Sequence, residues 1–200
     1  MRKLITLGAS LLFGLAVAVS SANASKYFDM ESQTWKDVNG YAHGGKSPIK
    51  RKTVKYSGPF AKSAEGTIVI NTKERRLYYI MGNGKAMKYG IGVGRPGFQW
   101  TGTHRVSRKA EWPGWTPPPA MRKRVPNLPA HMEGGPNNPL GARAMYIGST
   151  IYRIHGSNEP WSIGQAVSSG CIRLANEDVI DLYERVKVGA KVHVIQANQK

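Results

Sequence analysis

This chain has a single cysteine in 200 residues. No disulfide can form within it, and Cys171 is left as a lone thiol. Acidic residues are scarce: 12 Asp and Glu stand against 29 Lys and Arg, for a formal net charge of +17. After residue 19 no apolar run approaches the roughly 20 residues that a membrane-spanning helix needs. Internal repeats and low-complexity tracts are absent. His43, His104, His131 and His193 show no metal-ligand spacing with one another or with Cys171. No metal and no organic cofactor are therefore expected.

What is present begins with an export signal. Arg2 and Lys3 form a positive n-region, Leu4 to Val19 is apolar or small, and Ala22-Asn23-Ala24 is a small-x-small cleavage site. Residues 1–24 read as a signal peptide, with Ser25 as the mature N-terminus. No cysteine follows the apolar run, so lipid attachment there is excluded. The expected location is the periplasm or cell envelope. Without Arg2 and Lys3 the net charge is about +15, which implies an anionic partner. For an exported protein that partner is wall or lipid polyanion, peptidoglycan stem carboxylates included, rather than nucleic acid. The alternative is that the charge serves only solubility and general wall adhesion.

Residues 25–62 have little apolar periodicity. His43-Gly44-Gly45-Lys46-Ser47-Pro48 and Lys50-Arg51-Lys52 suggest an extended, flexible basic arm. From Thr67 the pattern is that of strands. Thr67 to Asn71 and Arg75 to Met81 read as a hairpin. Met87 to Val93, His104 to Ser107, Ala144 to Ile147 and Ile151 to His155 are further strand candidates. Lys191 to Ile195 alternates and should form a closing strand. One helix stands out. Asn176 is a good N-cap, Glu177 and Asp178 follow, and Val179, Leu182, Tyr183 and Val186 form one apolar stripe before Gly189. The pattern is mainly β with one prominent helix. Residues 112–140 differ, because their Pro- and Gly-rich ends cannot be regular structure. A loop of that length is expected to flank or roof a site.

The chemistry centres on Ile154-His155-Gly156 and Ser168-Ser169-Gly170-Cys171-Ile172-Arg173-Leu174. A free thiol titrates near pH 8.5, so a nearby imidazole is the usual activator. His155 ends a predicted strand and can supply one. Gly156 and Gly170 let backbone approach, and N–H groups around Ser169, Gly170 and Cys171 can stabilise an oxyanion. Arg173 offers a fixed cation for a substrate carboxylate. The alternatives are an inert buried cysteine and a core histidine. Gly92-Val93-Gly94-Arg95-Pro96-Gly97 fits a dinucleotide motif only literally, since Pro96 spoils a helix start and no βαβ unit follows. Its glycines read as a turn between strands. Trp100, Trp112, Trp115 and Trp161 read as packing or lid anchors before a sugar platform, and His193 as structural.

His155-Gly156-Ser157-Asn158 followed by Ser168 to Leu174 resembles the signature of the L,D-transpeptidase catalytic domain (the YkuD or ErfK/YbiS/YhnG family). Ile70-Asn71, Arg76-Leu77-Tyr78, Gly92 to Arg95, Thr101-Gly102-Thr103, Trp115 to Pro118 and Gly135 to Gly141 are similar to family blocks in the same order. The resemblance implies a catalytic domain over residues 63–197, with two packed mixed sheets or a distorted β-sandwich or barrel. It implies that Cys171 attacks a peptidoglycan tetrapeptide stem ahead of its terminal D-alanine and forms a thioester. His155 would be the base, oriented by a backbone carbonyl at Gly156. Arg173 would hold a carboxylate and Ser168 would shape the loop. By their place in the long loop, Trp115 and His131 are further candidates for substrate contact. An amine then resolves the thioester: a diaminopimelate side chain in a 3-3 cross-link, or a lysine of an outer-membrane protein or lipoprotein in anchoring. Ser169 stands where histidine is commoner, and Ser157 where threonine is frequent. A hydrolase on the same scaffold (carboxypeptidase or amidase) and a non-catalytic peptidoglycan-binding module are the rivals.

Overall fold

The computed structural model describes residues 26–29, 34–37 and 45–196. The expected signal peptide and its cleavage site lie outside these residues. Thirteen strands and two helices are described, with one 3-10 turn at Pro160–Ser162. The strands are β1 (Lys26–Asp29), β2 (Thr34–Asp37), β3 (Lys52–Lys55), β4 (Ile68–Asn71), β5 (Arg76–Ile80), β6 (Lys85–Gly90), β7 (Val93–Gly94), β8 (Gly102–Glu111), β9 (Arg143–Ile147), β10 (Arg153–His155), β11 (Ala166–Ser168), β12 (Ile172–Arg173) and β13 (Lys191–Ile195). Helix α1 is Pro119–Arg124 and α2 is Asn176–Arg185.

Nine strands form one mixed sheet in the order β12-β10-β9-β8-β13-β4-β5-β6-β3. The ten-residue β8 is its hinge. Its first half pairs with β13 and its second with β9, with a register shift between Val106 and Arg108. Such an irregularity bends a strand and raises its twist. The two ends of the sheet thereby share a core. Ile68 and Ile70 of β4, Leu77 of β5, Tyr89 of β6, Met145 of β9, Ile154 of β10 and Ile172 of β12 meet Val179 and Leu182 of α2. Val69 and Tyr78 face the other way and pack with Tyr56, Ile80 and Ala86. Period-2 alternation with two apolar faces explains why β4 is buried at every position. Tight turns join the strands: Gly82, Asn83 and Gly84 all have positive φ between β5 and β6, and Asn71 Oδ1 accepts from the Glu74 N–H between β4 and β5.

Several expectations are corrected in detail. Residues 45–56, expected in a flexible basic arm, are tied down. β3 adds to the sheet edge antiparallel to β6, the Arg51 guanidinium pairs with buried Asp178 at 2.9 Å, and the Ser47 N–H donates to Glu177. β13 is central, lying between β8 and β4 and parallel to the latter. A strand shielded on both sides needs no polar face. Asn176 is the first helical residue of α2 rather than its cap, which is Ala175. The helix ends at Arg185, and Gly189, at φ +91°, turns the chain three residues beyond Val186. The 112–140 loop holds the short helix α1, started by Pro119 where a missing N–H costs nothing. That loop has its own core of Trp115, Val125, Leu128, Met132 and Leu140, joined by Phe28 of β1. No described helix is long and apolar enough to cross a membrane.

Candidate active site

Strand pairing assembles the site. β10 and β12 are parallel neighbours, with Ile154 opposite Ile172 and His155 opposite Arg173. Both isoleucines are buried in the core. By alternation, Arg153 and His155 on β10, and Cys171 and Arg173 beside them, share the opposite face. All four line one cavity of about 280 Å³, close to the range of small-ligand pockets, roughly 300–1,000 Å³. The Gly92 and Arg173 backbones exchange two hydrogen bonds of 2.9 Å, which pin β12 from its other side.

The imidazole of His155 is held by its own chain. Its Nδ1 lies 2.6 Å from the Gly156 carbonyl, so Nδ1 is the protonated nitrogen and Nε2 keeps its lone pair. Burial, reinforced by the positive charge of Arg173, lowers its pKa to about 3. Resting His155 is therefore a neutral base. Cys171 is partly exposed. Burial of its sulfur raises the thiol pKa, against the opposing pull of the Arg153 N–H and the positive charges of Arg153 and Arg173. The resting groups are a thiol and a neutral imidazole lining the same cavity, not a preformed thiolate–imidazolium.

The loop before Cys171 is built by Ser168. Its hydroxyl donates to the Cys171 carbonyl at 2.7 Å and accepts from the Gly170 N–H at 3.1 Å. Gly170 N–H, expected among the oxyanion donors, is thus already committed. Gly170 has φ +107°, and a Cβ there would clash with the Tyr152 ring at Cε1. Tyr152 in turn stacks on Trp100 at 4.4 Å, and Trp100 Nε1 donates to the Gly170 carbonyl at 2.8 Å. Ser169 lines the cavity.

Arg173 is a partial departure from expectation. It lines the cavity, but its NH1 is in a buried ion pair with Glu159 at 2.9 Å. Trp115 lines the cavity and exchanges backbone hydrogen bonds with Met132 across the lid. His131 does not line it. That ring is about half-exposed, 2.8 Å from Thr116 Oγ1 and 3.5 Å from Glu133. Among the described residues no three His, Cys, Asp or Glu side chains group as metal ligands.

Three features escaped the sequence reading. Arg153 is beside the nucleophile, and the alternations Arg153-Ile154-His155 and Cys171-Ile172-Arg173 would have placed it there. Asn176 Oδ1 accepts from the Ala142 N–H at 2.9 Å and the Ser157 N–H at 3.3 Å, tying lid, His155 loop and helix together. Arg95 and Arg124 stand at the cavity from the turn after β7 and from α1. No pattern in the sequence signals the last two contacts.

The model of the L,D-transpeptidase catalytic domain, YkuD, matches residues 65–194. The chain belongs to this family. It is 44% identical over 137 residues to a probable L,D-transpeptidase, ErfK/SrfK, of Escherichia coli K12, covering 64% of this chain and 43% of that protein. It is 33% identical over 139 residues to the putative L,D-transpeptidase YqjB of Bacillus subtilis, covering 66% of this chain and 72% of that one. The chain thus spans less than half the length of its Escherichia coli relative. L,D-transpeptidase 3 of Mycobacterium tuberculosis shares the fold at a TM-score of 0.52 and 18% identity, over 65% of this chain and 60% of that one.

Proposed function

We propose that this L,D-transpeptidase family member is exported, and that it acylates Cys171 with a peptidoglycan tetrapeptide stem and passes the stem to an amine. What supports the reading is that Cys171 and His155, carried by the paired segments of β10 and β12, line one cavity with no carboxylate in its lining. Attack begins from the neutral pair. Sγ adds to the carbonyl before the terminal D-alanine as its proton passes to Nε2 of His155. The Gly156 carbonyl holds Nδ1–H through the transfer and stabilises the imidazolium that forms. Collapse of the tetrahedral intermediate breaks the C–N bond, His155 returns the proton to the departing D-alanine amine, and a thioester remains. An incoming amine, deprotonated by His155, attacks the thioester and releases the thiol. The positive guanidinium of Arg153 favours the sulfur anion as it develops.

The acceptor is a diaminopimelate side chain in a 3-3 cross-link or a lysine of an envelope protein. The net charge of about +15 after signal removal draws the enzyme to its anionic polymer. Intact-mass spectrometry of residues 25–200 with a tetrapeptide stem tests the reading. An adduct lacking the terminal D-alanine is expected, and Cys171→Ala abolishes it. A product formed with water alone, unchanged by added amines, would instead identify a hydrolase. Folded protein that binds sacculi without any adduct would identify a binding module.

A further inference from the structure

The cavity is lined by four arginines and by no Asp or Glu. Arg173 is paired with Glu159. Arg95, Arg124 and Arg153 have no ion pair among the described residues, and the Arg153 Nε is buried without a hydrogen-bond partner there. Arg95 and Arg124 converge on a single ring. Their Cζ atoms lie 4.7 and 4.9 Å from the centroid of Phe98. The two like charges are thus within about 10 Å of each other, roughly a Debye length at 0.1 M salt, where repulsion is not fully screened.

The chain builds this arrangement deliberately on the Arg95 side. Arg95-Pro96-Gly97-Phe98 is a turn closed by the Phe98 N–H donating to the Arg95 carbonyl at 2.9 Å, with Gly97 at φ +82°. Pro then Gly at the two central positions is the pattern of a type II turn. The Arg95 N–H donates to the Ser168 carbonyl at 3.0 Å, locking the turn to the loop that carries Cys171. On the other side Arg124 closes helix α1 of the lid, after Arg122 and Lys123. Only Arg124 of these three lines the cavity.

We propose that Arg95 and Arg124, held against Phe98, form a carboxylate-binding subsite that makes the enzyme select stems whose side carboxylates are free rather than amidated. This rests on the stem-peptide reading above. A tetrapeptide stem carries the α-carboxylate of its γ-linked glutamate and a diaminopimelate carboxylate besides its C-terminus. Either side carboxylate can neutralise the Arg95–Arg124 pair and bridge turn to lid. A carboxamide has no charge, and its NH₂ presents donors to donors.

Calorimetric binding to Cys171→Ala separates this from catalysis. The ligands are the free tetrapeptide stem and the same stem amidated at both side carboxylates. The free stem is expected to bind at least about tenfold more tightly at low salt, the size of one charge-assisted hydrogen bond. Arg95→Gln or Arg124→Gln on that background should each reduce the preference by severalfold. The pair together should abolish it, leaving the affinity for the amidated stem unchanged. Arg122→Gln and Lys123→Gln remove the same charge from α1 away from the cavity and should keep the preference. Equal binding of the two stems, or a loss with Arg122→Gln as large as with Arg124→Gln, overturns the subsite. Thioester formation by the unmutated protein is read separately by mass. Selective binding without a thioester would overturn the transferase reading and leave the subsite standing.

Discussion

At the scale of single residues, the site trades readiness for control. Burial pushes the two reacting groups apart in the direction that keeps both neutral: the His155 pKa falls to about 3 and the Cys171 thiol rises. Alkylation of Cys171 by iodoacetamide should therefore quicken steadily from pH 6 through pH 9, following the thiolate fraction. A plateau below pH 7 would reveal a preformed ion pair and contradict these shifts. Arg153→Gln removes a charge that lowers the thiol pKa, so its alkylation profile should move to higher pH. Arg153→Lys should restore part of the shift. A purely structural arginine would lower the amount of folded protein without moving that profile. Cys171 and His155 were legible because motif residues with reactive side chains stand out from composition. Arg153 was not, because an arginine in a basic chain carries no signal until its strand is placed beside Cys171.

At the scale of elements, β-branched runs such as Ile68-Val69-Ile70 and the apolar stripe of α2 could be read directly, since burial on one or two faces imposes their period. β11 and β12 have three and two residues, and β3 is Lys-Thr-Val-Lys at an edge. Strands that short or that polar are specified by their neighbours rather than by their own sequence. The same holds for Asn176. It reads as a helix cap, yet its Oδ1 is spent on two backbone donors from other segments, Ala142 and Ser157. Asn176→Ala leaves both without that acceptor and should cost about 2–3 kcal/mol. Asn176→Asp, which keeps the acceptor, should recover most of the loss. Differential scanning calorimetry of the three proteins measures it. A loss below 0.5 kcal/mol (about the scatter of surface substitutions) would mean that the tie is replaceable. Because the tie positions the His155 loop and the lid end, kcat should fall in Asn176→Ala before the protein unfolds.

At the scale of the molecule, the lid has a core of its own, and its largest fully buried member comes from elsewhere in the chain. Phe28 is 0% exposed among Trp115, Val125, Leu128, Met132 and Leu140. Among the described residues its strand pairs only with β2, and a two-stranded hairpin alone is marginal in water. Hairpin and lid therefore stabilise each other. Tyr27 adds an edge contact to Trp161, near the Glu159 end of the site. The sequence offered no hint of this, because Tyr27-Phe28 is a two-residue apolar island in a stretch without periodicity. Phe28→Ala should cost about 3–5 kcal/mol locally, and the loss should fall on the lid rather than on the core around Ile68 and Ile154. Hydrogen exchange distinguishes the two. Amides of residues 115–140 should exchange at least tenfold faster in the variant, while those of β4 and β13 keep their protection. KM for the stem should rise severalfold with the lid that carries Arg124 less ordered, whereas iodoacetamide, which needs no lid, should alkylate Cys171 at an unchanged rate. Uniform loss of protection across β4 and β13 would show that lid and core unfold as one unit, and would remove the hairpin from any special role at the site.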